Sequence, residues 1–189
     1  MSDLRDEVFS SFPVLETERL RLRASGPGDA AATLAVLSSE DVCRYYDLSP
    51  LILEDEAATL IANRAAAFVR EERIRWALAR REDDTVIGSC GLSRWDEGAA
   101  QAEVGYELAP AEQGRGLMRE ALTAVLGFGF ERMQLRRIEA NVVPGNEPSL
   151  HLLRRLGFRE LELRPGRGFW KGETHDLVHH LLHWEDWHG

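Results

Sequence analysis

The stretch EVGYELAPAEQGRGLMREA, Glu103 to Ala121, decides how the chain is put together. It begins as a short alternating strand, passes through Ala109-Pro110, turns at Gly114-Arg115-Gly116 and becomes helical without a break. Leu117, Ala121, Ala124, Val125 and Phe128 then step along one face of a helix predicted to reach about Arg132. A helix begun in this way exposes unpaired backbone N–H groups at the positive end of its dipole, which suits a phosphate. Gly114 and Gly116 let the backbone approach an anion that a Cβ would hold off, and Arg115 and Arg119 add charge in the same turn. A tight turn with no ligand explains the glycines equally well, because a GxG alone is a weak signal. The GxxxxGK[ST] phosphate loop is absent, and Arg119 stands where a dinucleotide fingerprint needs its third glycine.

On either side the chain keeps switching period. Upstream, RLRLR (Arg19 to Arg23) reads as a strand, and Pro27 to Ser38 and Asp55 to Glu71 read as helices. Trp76 to Arg80 and Val86 to Leu92 flank the polar REDDT and predict a hairpin, with Ala102 to Leu108 as the next strand. Downstream, RRIEANVV alternates, with Ile138, Ala140 and Val142 on one side and Glu139 and Asn141 on the other. Asn146 is suited to cap a helix that carries Leu150, Leu153 and Leu156 and stops at Gly157. Two strands, near Arg159 to Leu163 and Thr174 to Leu182, complete the order. Consecutive strands in the middle predict antiparallel pairing, and the strand–helix–strand step from Ala102 to Val142 predicts a parallel pair. The fold class is mixed α/β. No linker, repeat or low-complexity tract divides it, so residues 1–189 are expected to form one domain.

Composition excludes several classes of function. The 189 residues are 44% hydrophobic and 29% charged, which is the balance of a folded domain rather than a disordered chain. Net charge is −9, and no Lys/Arg block is long enough to follow a nucleic-acid backbone, so no nucleic-acid partner is expected. An acidic surface favours cationic partners such as amines or basic peptide tails. Cys43 and Cys90 are the only cysteines, and their spacing matches no metal or redox motif. No 18 consecutive residues are apolar, and the opening MSDLRDEVFSSF lacks the apolar centre of a signal peptide. A cytoplasmic protein with no membrane partner is the expectation.

Taken together, AEVGYELAP, QGRGLMREAL and IEANVVPGNEPSLHLLRRLGF, between Ala102 and Phe158, resemble the core of the Gcn5-related N-acetyltransferase (GNAT) superfamily. ETERLRLR near the start and GETHDLVHHLL near the end extend the resemblance over most of the chain. They point to the RimJ/RimL-type branch, whose named members acetylate N-terminal amines of ribosomal proteins. The resemblance implies a mostly antiparallel central sheet of about seven strands with helices on both faces. It also implies acetyl-CoA as co-substrate and transfer of its acetyl group to a primary amine within a ternary complex.

On that resemblance the anion at the glycine turn is the pyrophosphate of acetyl-CoA, held by Gln113, Gly114, Arg115, Gly116, Leu117, Met118 and Arg119. Met118 departs from the family pattern, which has a small residue there, so its side chain must point away from the ligand. Main-chain groups of Tyr106, Glu107 and Leu108 would bond the pantetheine arm and the thioester oxygen, and Asn141, Asn146 and Ser149 would contact the cofactor as well.

The implied chemistry needs a group to take the ammonium proton, donors for the developing oxyanion, and a proton for the leaving thiolate. Glu103 is the candidate base; its other reading is a solvated carboxylate paired with an arginine. Many family members place a tyrosine where this chain has Leu153, and in the RimJ/RimL-type branch a serine matching Ser149 is assigned the thiol instead. Ser149 could otherwise only bond the local backbone. Neither cysteine lies in an activating motif, so no acetyl-enzyme is expected.

Tyr45 and Tyr46 of CRYYD, together with Trp95, are the candidate acceptor contacts by position, and Trp76 reads as core. His175, His179 and His183 recur at a spacing that on a helix would resemble a metal face, but the family pattern makes this stretch a strand. With no cysteine or carboxylate cluster to complete a site, no metal is expected there. The row would line a substrate cleft or a subunit contact. The two tryptophans of HWEDWHG would dock on the body or on a second subunit, which admits a homodimer. The leading reading is acetylation of a peptide N-terminus; the alternatives are a polyamine, amino sugar or other small amine, and a non-catalytic acetyl-CoA sensor.

Overall fold

A computed structural model describes residues 4–188. Its sheet is built from β1 (Leu15–Glu16), β2 (Leu20–Arg23), β3 (Arg73–Arg80), β4 (Val86–Asp96), β5 (Gln101–Leu108), β6 (Arg137–Val142), β7 (Arg159–Trp170) and β8 (Glu173–His183). The spatial order is β1-β2-β3-β4-β5-β6-β8-β7, and every neighbouring pair is antiparallel except β5 with β6. The helices are α1 (Leu4–Phe9), α2 (Ala30–Leu37), α3 (Glu40–Cys43), α4 (Glu54–Val69), α5 (Leu117–Glu131) and α6 (Glu147–Arg155).

Period-2 alternation sorts each strand between two layers. Leu20, Leu22, Ile74, Trp76, Cys90, Leu92, Ala102, Val104, Ile138 and Ala140 face one core, together with Leu122, Val125 and Leu126 of α5 and Leu153 of α6. Trp76 is fully buried there, edge-on to Phe128, with its indole N–H donating to Pro13 O at 2.7 Å. The opposite face carries Ala77 and Ala79, against Ala32 of α2, and Glu107, which meets Arg64 of α4. Helices thus cover both faces of a mixed sheet.

The sheet has eight strands rather than about seven. The addition is β1, two residues long and too short to show a period. The helices α1 and α3 are also short; α3 is capped by Ser39, whose side chain accepts from Val42 N–H at 3.5 Å. The final hairpin is also longer than the sequence suggests. RPGRGFWKG, with its Pro and Gly, reads as a loop but continues β7 through an irregularity between Arg164 and Gly168. It reverses at Lys171 and Gly172, both at positive φ, the geometry of a two-residue hairpin turn. The terminal tryptophans dock on the body: Phe130 of α5 lies 5.6 Å from Trp184 and 5.5 Å from Trp187. Among the described residues no helix is long and apolar enough to cross a membrane.

Candidate active site

The parallel pairing of β5 with β6 is short. β5 and β6 are in register from Gln101↔Arg137 to Glu103↔Glu139 and no further, while β5 stays paired with β4 as far as Leu108↔Gly88. Beyond Glu103 the two strands therefore diverge and leave a gap. Ala109 N–H donates to Ile87 O at 2.8 Å, which makes 87/109 a hydrogen-bonded antiparallel pair. By alternation 89/107 and 91/105 are the next such pairs, so the main-chain N–H and C=O of Tyr106 and the N–H of Leu108 point into the gap. Leu108 O already accepts from Gln113 Nε2 at 3.1 Å.

The gap leads to the glycine turn. Gly114 (φ +74°) and Gly116 (φ +78°) are left-handed, and Gly116 is the N-cap of α5 with no side-chain cap of its own. A Cβ on Gly114 would meet nothing within 4 Å, so the backbone there is open to a ligand. Arg115 is held by the buried Glu112, which also pairs with Arg80 at 2.9 Å. Arg119 is exposed and lines a groove of about 760 Å³ with Arg19 and Arg155, running beside the first turns of α5. Met118 is buried in the core and Leu117 with it, so the bulky residue at the family's small position turns inward, and only its backbone is left to the turn.

Across the gap, Asn146 caps α6 by accepting from Ser149 N–H at 3.4 Å. The Ser149 hydroxyl is 2.7 Å from Tyr106 Oη. Burial pushes the Tyr106 phenol up to about 12, against a smaller opposing effect of the Ser149 bond. Leu153, in place of the family's tyrosine, is fully buried.

On the α4 side of the sheet Glu103 and Glu139 stand next to each other in register at the closed end of the gap, where the strands part. Arg94 Nη1 donates to Glu103 at 3.2 Å, from a side chain that is 79% exposed. His179 of β8 is buried, with Nε2 3.2 Å from the Glu139 carboxylate but out of line for a hydrogen bond. Opposite it, Asn141 Oδ1 is buried and has no hydrogen-bond partner among the described residues. His175 stacks on Trp170 at 4.2 Å, and His180 faces the other way, fully buried. No group of three metal-binding side chains occurs among the described residues.

A second cluster was not legible in the sequence. Glu107 is buried between Arg75 and Arg64, the latter at 3.1 Å, with Ser89 donating as well. Burial works to raise the Glu107 carboxyl, and the two cations overcome it, leaving it below the usual carboxylate range. The Glu107 charge, followed by burial, in turn pushes the Tyr46 phenol up. Its main chain faces β4, so Glu107 lies behind the gap rather than in it. Tyr45 Oη donates to Gly145 O at 3.1 Å, which brings the α3 loop over the β6–α6 turn. Lys171 Nζ donates to Cys43 O at 2.6 Å, so the tip of the β7–β8 hairpin closes the same side. Trp95 is elsewhere: it packs on Phe9 at 6.2 Å under the Arg5 guanidinium, beyond the closed end of the β5–β6 pairing.

Comparison with known proteins shows the family and the fold. A family model described as an acetyltransferase (GNAT) domain matches residues 19–159, more than half of the chain. The uncharacterized N-acetyltransferase YoaA of Bacillus subtilis (strain 168) is 36% identical over 149 residues, 79% of this chain and 84% of that protein. The ribosomal protein uS5-alanine N-acetyltransferase of Escherichia coli (strain K12) is 34% identical over 107 residues, 56% of this chain and 55% of that one. A solved Vibrio cholerae structure, proposed to be a ribosomal-protein-serine acetyltransferase, superposes with a TM-score of 0.83 at 27% identity, covering 90% of this chain and 97% of that one.

Proposed function

The chain belongs to the acetyltransferase (GNAT) family and is an N-acetyltransferase, and from that premise we propose that it acetylates a protein N-terminal amine by direct attack on acetyl-CoA. The observation that carries the proposal is the gap beyond Glu103↔Glu139, where the main chain of Tyr106 and Leu108 has lost its strand neighbour on one side. Acetyl-CoA supplies the activated acetyl group. The residues present fit it: unpaired main-chain donors in the gap, the orphaned Asn141 Oδ1 just past its closed end on β6, and the open glycine turn for its pyrophosphate.

In this reading Glu103 takes the proton of the incoming ammonium, at the end of the gap nearest the acceptor side. The Tyr106 N–H donates to the thioester oxygen as negative charge develops on it. Ser149, held by Tyr106 from behind, donates to the departing sulfur. Arg119 and the first-turn N–H groups of α5 hold the phosphates, and Asn146 combines capping with a cofactor contact. Tyr45 and Tyr46, near the hairpin tip, line the approach of the acceptor. The name of the Escherichia coli relative supports a ribosomal-protein terminus as acceptor. The paired carboxylates Glu103 and Glu139 suit any cationic amine, so a polyamine is the second reading.

Titration of acetyl-CoA into the protein, followed by thiol release with N-terminal peptides and with polyamines, tests both. Binding with peptide-dependent release is expected. Binding without release on any amine would leave a cofactor sensor and overturn the assignment.

A further inference from the structure

Arg75 is a cation whose side chain is 12% exposed, on β3, two strands from the gap. It reaches β5 by crossing β4 at Gly91, where a Cβ would lie 3.0 Å from Arg75 Cδ and closer still to the β3 backbone. All three nitrogens are engaged: Nε donates to Ser89 Oγ at 2.8 Å, Nη1 to Gly105 O at 2.9 Å, and Nη2 to the Glu107 carboxylate. Gly105 and Glu107 flank Tyr106. A buried ion pair is a poor device for stability, because desolvation offsets much of the attraction. Arg64 already supplies Glu107 with a cation. Arg75 alone of the two also bonds a main-chain carbonyl.

That carbonyl and the Tyr106 N–H belong to one peptide group. The oxygen points towards β4, where Gly91 is its partner in the ladder, and the N–H points the opposite way, into the gap. A guanidinium on the oxygen draws electron density along the amide and makes its N–H a stronger donor. We infer that Arg75 is a positioning residue for acetyl transfer: it fixes and polarises the Gly105–Tyr106 peptide so that the Tyr106 N–H is aimed at the thioester oxygen. The inference rests on the gap being the acetyl-CoA site. A donor held in this way needs no reorganisation when charge appears on the oxygen.

Arg75→Lys is the test variant. It keeps a cation opposite Glu107, yet one ammonium cannot hold Gly105 O, Ser89 Oγ and Glu107 in the arginine's fork geometry. Infrared difference spectra of acetyl-CoA labelled with carbon-13 at the carbonyl, bound in the absence of acceptor, read the thioester directly. In the wild type the carbonyl band should lie below its position in free acetyl-CoA. In R75K it should move back towards that position, with kcat down about tenfold, a fraction of what loss of a whole oxyanion donor costs. CoA, which lacks the acetyl oxygen, should bind R75K within about twofold of wild type, since no oxyanion donor touches it. A wild-type band and kcat in R75K overturn the inference, and so does a loss of CoA affinity that matches the loss of rate. Wild-type protein that binds no acetyl-CoA contradicts the proposed function itself, and that arm is run before any variant. Should R75K not fold, Arg75→Gln, which leaves Glu107 its ion pair with Arg64, carries the same expectation.

Discussion

The Tyr106 hydroxyl lies 2.7 Å from Ser149 Oγ, so a phenol on the diverging strand and a hydroxyl on the first turn of α6 share one hydrogen bond. Raised to about 12 by burial, the phenol is protonated at neutral pH and can donate to Oγ. That leaves the serine's own proton free for a sulfur in the gap. The family's missing helical tyrosine, replaced by Leu153, thus has a phenol nearby that comes from β5 instead.

From this pair, Ser149→Ala should lower kcat by about tenfold, less than the roughly hundredfold or more that a positioned acid usually contributes, because a thiolate is already a tolerable leaving group. Tyr106→Phe should lower it less, and the double variant no further than Ser149→Ala alone, since both act through one hydroxyl. Thiol-release kinetics on the three variants check it. Additive losses would separate the two residues.

Glu103→Gln should lower kcat/KM at neutral pH by about a hundredfold, as removal of a general base does. The loss should shrink at high pH, where the acceptor amine is already neutral. A pH profile of the variant reads this. A deficit constant across pH would mean that Glu103 only pairs with Arg94.

Gly116→Ala places a side chain at φ +78°, in the N-cap that opens α5. It should destabilise the fold by about 1 kcal/mol and raise KM for acetyl-CoA, because strain and an obstructed anion site arise at the same atom. Urea titration and acetyl-CoA saturation curves measure the two effects separately. Unchanged KM would remove the turn from the cofactor site.

How much of this could be read from the chain depended on distance along it. The glycine turn, the Asn146 cap and the parallel step from β5 to β6 are local patterns, and all three stand in the structure. The Arg75–Glu107 pair is 32 residues apart and exists only because of the registers of β3 with β4 and β4 with β5. No spacing rule announces it, and Glu107 offered a reader only its main chain. Tyr106 packs against the core, and alternation places it there, but alternation reports the face of a side chain, not the partner its hydroxyl finds. Trp95 shows the converse: its place in the strand order put it near the acceptor, but the short α1 occupies its face.

Buried Glu107 makes stability depend on pH with a definite sign. Its folded-state pKa is depressed, so its contribution is full above the unfolded value of about 4.3 and is lost as pH falls through the folded value. Glu107→Ala, which leaves Arg75 and Arg64 facing each other, should cost about 3 kcal/mol at pH 7. The gap from wild type should close in acid. Urea unfolding of both proteins at pH 7 and near pH 3 tests the sign.

The most direct test of the account is acetyl-CoA turnover by thiol release with a panel of N-terminal peptides, polyamines and amino sugars. Release that depends on a peptide with a free N-terminal amine, and disappears when that amine is blocked, is the predicted result. Release with polyamines or amino sugars but no peptide would contradict the assigned acceptor. Tight acetyl-CoA binding with no acceptor-dependent release would contradict catalysis itself.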